Sequence, residues 1–112
     1  MSNGVHASHN QIAGRYKLGN IHKGAATYNQ IGGSNLIWQF KSSGITGQGS
    51  WKIGHEDKFG TETADIASGQ TETFCLEPDT QWSFKQGGWK EAGSNFRISQ
   101  YSSGKYIRFV AP

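Results

Sequence analysis

With one cysteine, Cys75, in 112 residues, the chain has no internal disulfide. No apolar run follows Met1, whose next residues are Ser2, Asn3 and Gly4, so no signal peptide is expected. Nothing approaches the roughly 18 apolar residues of a membrane span. A cytoplasmic protein is the expectation, or one released without a conventional leader; a domain cut from a longer protein would look the same. Helical periodicity is missing throughout. Aliphatic residues are scarce: 34% of the chain is hydrophobic, yet 12% is aromatic. A core must therefore come from a few large rings, each removing roughly 150–250 Å² from water. A chain this long forms one domain and buries about 65% of its unfolded surface.

Acid is absent from residues 1–54, which carry Arg15, Lys17, Lys23, Lys41 and Lys52. Residues 55–80 hold Glu56, Asp57, Glu62, Asp65, Glu72, Glu77 and Asp79 against Lys58 alone. Residues 81–112 return to base, with Lys85, Lys90, Arg97, Lys105 and Arg108 against Glu91. The three blocks are expected to neutralise one another on folding rather than to form a polyanion-binding face.

What is present is a recurrent period of two. In Asn35–Gly54, Leu36, Trp38 and Phe40 alternate with Ile37 and Gln39, and Trp51 and Ile53 alternate with Lys52. Strand side chains point to opposite faces in turn. The expected hairpin therefore has Leu36, Trp38, Phe40, Trp51 and Ile53 on its inner face. Residues 1–13 are polar and aperiodic and are expected to be mobile. Regular structure should begin at Gly14, with Tyr16 and Leu18 on one face and a turn at Gly19-Asn20. Further strands are expected over residues 26–31, with Tyr28 inward, and at Phe74–Leu76. Trp82 and Phe84, Phe96 and Ile98, and Ile107 and Phe109 form further inward pairs. Residues 55–73 should be a long excursion with one short strand or turn of helix. Eight or nine short strands at 8–12-residue spacing, with glycine-rich turns, define an all-β domain over residues 14–112. A small antiparallel sandwich or flattened barrel is expected. WQFK (38–41) echoes WSFK (82–85), and SWKIG echoes GWKEAG, which suggests a repeated hairpin.

The order Gly-Arg-Tyr-Lys (14–17), Ala-Thr-Tyr (26–28), Leu-Ile-Trp-Gln-Phe (36–40), Trp-Lys-Ile-Gly (51–54), then Trp82 and Gly88-Trp89, resembles a small all-β module of mosaic eukaryotic proteins. A Tyr-bearing strand, a second Tyr, an "LYxx" strand and a "WxIG" strand recur there. The similarity spans about residues 14–90. It implies a β fold and no particular chemistry.

No reaction is legible. There is no G-x-S-x-G, and Cys75 lies in an apolar Phe-Cys-Leu context that makes it a small hydrophobe. A glycosidase would need paired carboxylates, such as Glu56 with Glu72 or Asp79. The His55-Glu56-Asp57 cluster reads instead as a solvated turn. His6, His9, His22, His55 and Asp57 match no metal-ligand spacing, and no motif calls for a cofactor. A non-enzymatic binding domain is expected, with carbohydrate as the first ligand class. Sugar rings present C–H faces to a flat indole and hydroxyls to polar neighbours. Trp89 follows Gly87-Gly88 and is the Trp least suited to a core. Tyr106 and Arg108 share the outward face of the last strand, and Asn95 and Gln86 can meet hydroxyls. The expected ligand site is thus Trp89, Tyr106, Arg108, Asn95 and Gln86, without metal. A protein partner or a second copy of the chain ranks next. Nucleic acid ranks third, through outward Arg97, Tyr101, Lys105, Tyr106 and Arg108.

Overall fold

The computed structural model describes residues 11–41, 49–64, 66–71, 73–85, 88–102 and 105–111, without the side chains of Gln70, Ser94, Tyr101 and Ser102. His6, His9, Asp65, Glu72 and Gln86 lie outside the described residues, as does most of the connection expected between Lys41 and Ser50.

Nine antiparallel strands form one curled sheet, not two packed sheets. They are β1 (Gly14–His22), β2 (Ala25–Gln30), β3 (Asn35–Phe40), β4 (Gly49–His55), β5 (Ile66–Thr71), β6 (Trp82–Lys85), β7 (Trp89–Glu91), β8 (Arg97–Ser102) and β9 (Tyr106–Val110). Their order is β7-β6-β5-β4-β3-β2-β1-β9-β8. Each neighbour is a sequence neighbour except the β1–β9 pair, which joins the two ends of the chain. Curling lets distant strands share one interior. Trp82 of β6 meets Phe109 of β9 edge-on at 5.2 Å, and Phe96 stacks on Phe109 at 6.1 Å. Such ring pairs add about 0.5–1.5 kcal/mol beyond their burial. Tyr16, Tyr28, Ile37, Trp51, Ile53, Ile66, Leu76 and Ile107 complete this core.

The alternation expected for β3 is correct, but the face is not. Ile37 pairs with Ile53 and Gln39 with Trp51, whereas Trp38 pairs with Lys52 and Phe40 with Ser50. Directly opposed residues share a face. Ile37, Gln39, Trp51 and Ile53 therefore point inward, and Leu36, Trp38 and Phe40 point outward. Trp38 is nevertheless sealed, because residues 56–64 fold over it. Its Nε1 donates to the Thr61 carbonyl at 3.0 Å, and Phe59 meets its ring edge-on at 5.8 Å. The two-Trp echo is consequently not a repeat: Trp38 is outward where Trp82 is inward, and Trp51 is inward where Trp89 is outward.

Two local expectations also shift. β1 continues through Gly19-Asn20 as a bulge between Leu18 and Ile21. The turn falls at Lys23-Gly24, both with positive φ (50° and 82°), as a two-residue hairpin loop demands. Phe74–Leu76 is not a strand. Leu76 plugs the interior instead, while Phe74 stays half exposed; the Phe74 carbonyl accepts from the Ala26 amide at 2.9 Å, and the Leu76 amide donates to the Tyr28 hydroxyl at 3.1 Å. Residues 55–73 supply both a 3-10 turn (Glu56–Lys58) and β5.

Residues 11–13 are tied to the sheet. Ile12 is buried, and its carbonyl accepts the Tyr16 hydroxyl proton at 2.6 Å. The Gln11 carbonyl accepts from the side-chain amides of Gln30 and Asn35. Burial drives the Tyr16 phenol well above its usual ionisation range, which begins near pH 10. The folded state therefore holds this proton more tightly than the unfolded chain does. The stability this confers is complete below pH 10 and is lost as pH rises above it. Tyr16→Phe is expected to cost about 1 kcal/mol at neutral pH by leaving the Ile12 carbonyl unpaired. Its stability should then fall less steeply than that of the wild type above pH 10. Parallel alkaline unfolding curves for the two proteins would refute this role.

Candidate functional site

The outer face of β4, β5 and β6 carries a row of aligned residues. Lys52 pairs with Ala67, Ala67 with Ser83, and Ser83 with Glu91 of β7. Lys85 pairs with Trp89 on the same face. Small side chains in the middle of this row leave a depression between two walls. One wall is Glu62, Thr63 and Ala64, from the segment that covers Trp38; the other is Trp89. The result is an open hollow of about 540 Å³ floored by Ser50, Lys52, Ala67, Ser68, Gly69 and Ser83. That volume lies within the roughly 300–1,000 Å³ of small-molecule sites.

A bulge shapes the floor. The β4–β5 register slips between Ser50 and Lys52. There the Ser68 hydroxyl accepts from the Trp51 amide at 2.8 Å, and the Ser50 hydroxyl donates to the Ser68 carbonyl at 2.5 Å. Bulges bend a strand and re-aim its side chains. This one brings Ser68 and Gly69 to the edge of the hollow, although Ser68 pairs with inward-facing Trp82.

Lys52 is the unusual member. It is only 8% exposed, and its ammonium lies 5.8 Å from the centre of the Trp89 ring. Burial pushes its pKa below the ordinary lysine value, and the Glu62 carboxylate partly opposes that shift. The cation helps to set the ring standing at the rim. Trp89 itself remains 50% exposed, whereas Trp38, Trp51 and Trp82 are buried.

Of the four expected ligand residues that the structure describes, Trp89 alone lines the hollow. Tyr106 and Arg108 stand on the outer face of β9, beside β1, near the other end of the strand order. Asn95 is exposed in the 3-10 turn Gly93–Asn95, with its amide bonded to the Ala92 carbonyl at 3.0 Å. Gln86 lies outside the described residues. The four described residues are thus not brought together in one place. Lys52, Glu62, Ser83 and Lys85 take the place beside Trp89. Lys52 was visible in the sequence only as the outward residue between Trp51 and Ile53.

The His55-Glu56-Asp57 cluster has a structural task. The His55 Nδ1 accepts the Asp57 amide proton at 3.1 Å and so caps the 3-10 turn. His22 packs on Phe59, with ring centres 4.7 Å apart. Among the described residues no three His, Cys, Asp or Glu side chains are placed to hold a metal ion. No helix there is long and apolar enough to cross a membrane. Comparison with protein-family models, with curated proteins and with solved structures yields no match for the chain.

Proposed function

We propose that the protein is a non-enzymatic binding domain that holds a saccharide in the Trp89 hollow. One observation carries this: a half-exposed indole, steadied by the Lys52 ammonium, stands at the rim of an open depression whose lining is hydroxyl- and charge-bearing. A pyranose ring offers an apolar C–H face to such an indole. Its hydroxyls then find Ser83 and Thr63 as donors or acceptors, Glu62 as an acceptor, and Lys52 and Lys85 as donors. Because the other three indoles are buried, changes in intrinsic fluorescence on binding should report mainly on Trp89.

Titration with a panel of neutral mono- and oligosaccharides is expected to shift or quench that emission saturably. Trp89→Ala should weaken binding at least about tenfold, as truncation of an anchoring aromatic does. Its far-ultraviolet circular dichroism and melting temperature should stay close to wild type, since the ring is half in solvent and outside the core. Silence across the panel, or undiminished affinity in the variant, would refute the proposal.

A further inference from the structure

We infer that the outer face of β1, β8 and β9 is a binding surface for a sulfated polysaccharide, separate from the Trp89 hollow and independent of it. The register places Arg15 directly opposite Arg108 and Lys17 directly opposite Tyr106. Tyr16 and Ile107, between them in sequence, are buried, so these four side chains face solvent, and all four are exposed. Lys105, also exposed, precedes β9. No carboxylate of the described residues comes within 4.0 Å of Arg15, Lys17, Lys105 or Arg108. Among the described residues, the mutual neutralisation expected from the blocks of charge is therefore not made at this face. β1, β8 and β9 contain no acidic residue at all.

Like charges directly opposed across a β ladder destabilise it. A fold that keeps Arg15 against Arg108 with no counter-charge among the described residues carries a strain that an external anion relieves. Both guanidinium groups are also oriented in advance. Arg15 lies over the Tyr106 ring at 5.1 Å, and Arg108 Nε donates to Gln100 Oε1 at 3.3 Å. Among the described residues no other acceptor takes their remaining N–H groups, and preorganisation lowers the cost of binding. Guanidinium forks suit the paired oxygens of a sulfate or phosphate ester.

The absence of bases on the ligand is what the surface favours. Single-stranded nucleic acid needs successive aromatic faces on which bases stack. Here one side of the Tyr106 ring is already covered by Arg15. A linear chain bearing charge and no stacking partner fits the flat cationic face best.

Binding of heparin by the whole protein, measured at several salt concentrations, tests this. Affinity should fall steeply and linearly on logarithmic axes. The double variant Arg15→Gln/Arg108→Gln should bind about tenfold or more weakly, with the salt slope roughly halved, because two of four cations are gone. Lys17→Gln should give a smaller loss in the same direction. Thermal midpoints should be unchanged or raised, which a purely structural role for the arginines would not produce. Fully desulfated heparin should not bind, and Trp89→Ala should bind heparin as the wild type does. The inference fails if heparin does not bind at low ionic strength, or if the double variant binds undiminished. It also fails if single-stranded oligothymidylate of equal charge binds more tightly at the same salt concentration, which would assign the face to nucleic acid.

Discussion

Trp38→Ala is expected to cost about 3–5 kcal/mol of unfolding free energy, the range for removing a buried Trp or Phe. A small domain has roughly 5–15 kcal/mol in total, so this is a third or more of the fold's margin. The loss has three parts. The ring is fully buried, although it projects from the outer face of the sheet. Its indole proton is the tie that holds the Thr61 carbonyl down. Its edge contact with Phe59 continues outward to His22, so three rings stand in a row beneath residues 59–61. Deleting the first ring leaves the others without a base. Amide exchange at Phe59, Thr61 and Thr63 should therefore quicken more than exchange in β3 or β4. Since Glu62, Thr63 and Ala64 are one wall of the Trp89 hollow, saccharide affinity should drop as well. Trp38→Phe keeps much of the packing and loses the hydrogen bond, and should cost less. A destabilisation below about 1 kcal/mol for Trp38→Ala would show that the covering segment carries no weight.

That residue also marks the limit of what alternation reveals. A period of two separates Leu36, Trp38 and Phe40 from Ile37 and Gln39, but it does not say which set faces the core. Size favoured the Trp set. The choice was reversed by a tertiary feature, the cover supplied by residues 56–64, which lets a second apolar face be buried. Where a charged residue marks the outer face, as Arg108 does in Tyr106–Val110, the inward pair Ile107 and Phe109 was correct. The strand count and antiparallel class were equally legible, because glycine-rich turns punctuate the chain. Gly19-Asn20 misled because a bulge uses the same residues as a turn. A Cβ on Gly19 would lie 2.9 Å from the Asn29 side-chain nitrogen and 3.2 Å from the Thr27 hydroxyl, so close approach within the ladder, not chain reversal, calls for glycine there.

The two proposed surfaces were also legible in part. Trp89 stood out because two glycines precede it and no alternating partner follows. Tyr106 and Arg108 were placed on an outward face, and the structure keeps them there. That Arg15 and Lys17 stand beside them depends on the β1–β9 pairing of the two chain ends, which no local pattern announces. Nor does the sequence show that Lys52, Ala67 and Ser83 form one row, because that row is set by register across three strands.

Gly49→Ala is the second substitution with a large expected effect, about 3 kcal/mol, at the upper end for forcing extra volume into a packed site. Gly49 opens β4 and is buried. A methyl group built on it would lie 2.7 Å from the Phe40 carbonyl oxygen, and 2.8 Å from both the Gln39 and Lys41 Cγ atoms. The first of these is backbone of the neighbouring strand and cannot swing aside. Relief would require β3 and β4 to separate where Phe40 pairs with Ser50, next to the hollow floor. Gly69 supplies the control: a Cβ there meets nothing within 4 Å, and its backbone does not need a left-handed conformation. Gly69→Ala should be neutral or stabilising by less than about 1 kcal/mol, through the lower entropy of the unfolded chain. Urea titrations should show the Gly49→Ala midpoint falling at constant slope while the Gly69→Ala midpoint holds. Equal midpoints would mean that the β3–β4 edge yields easily, and the floor of the hollow would then be softer than its hydrogen bonds imply.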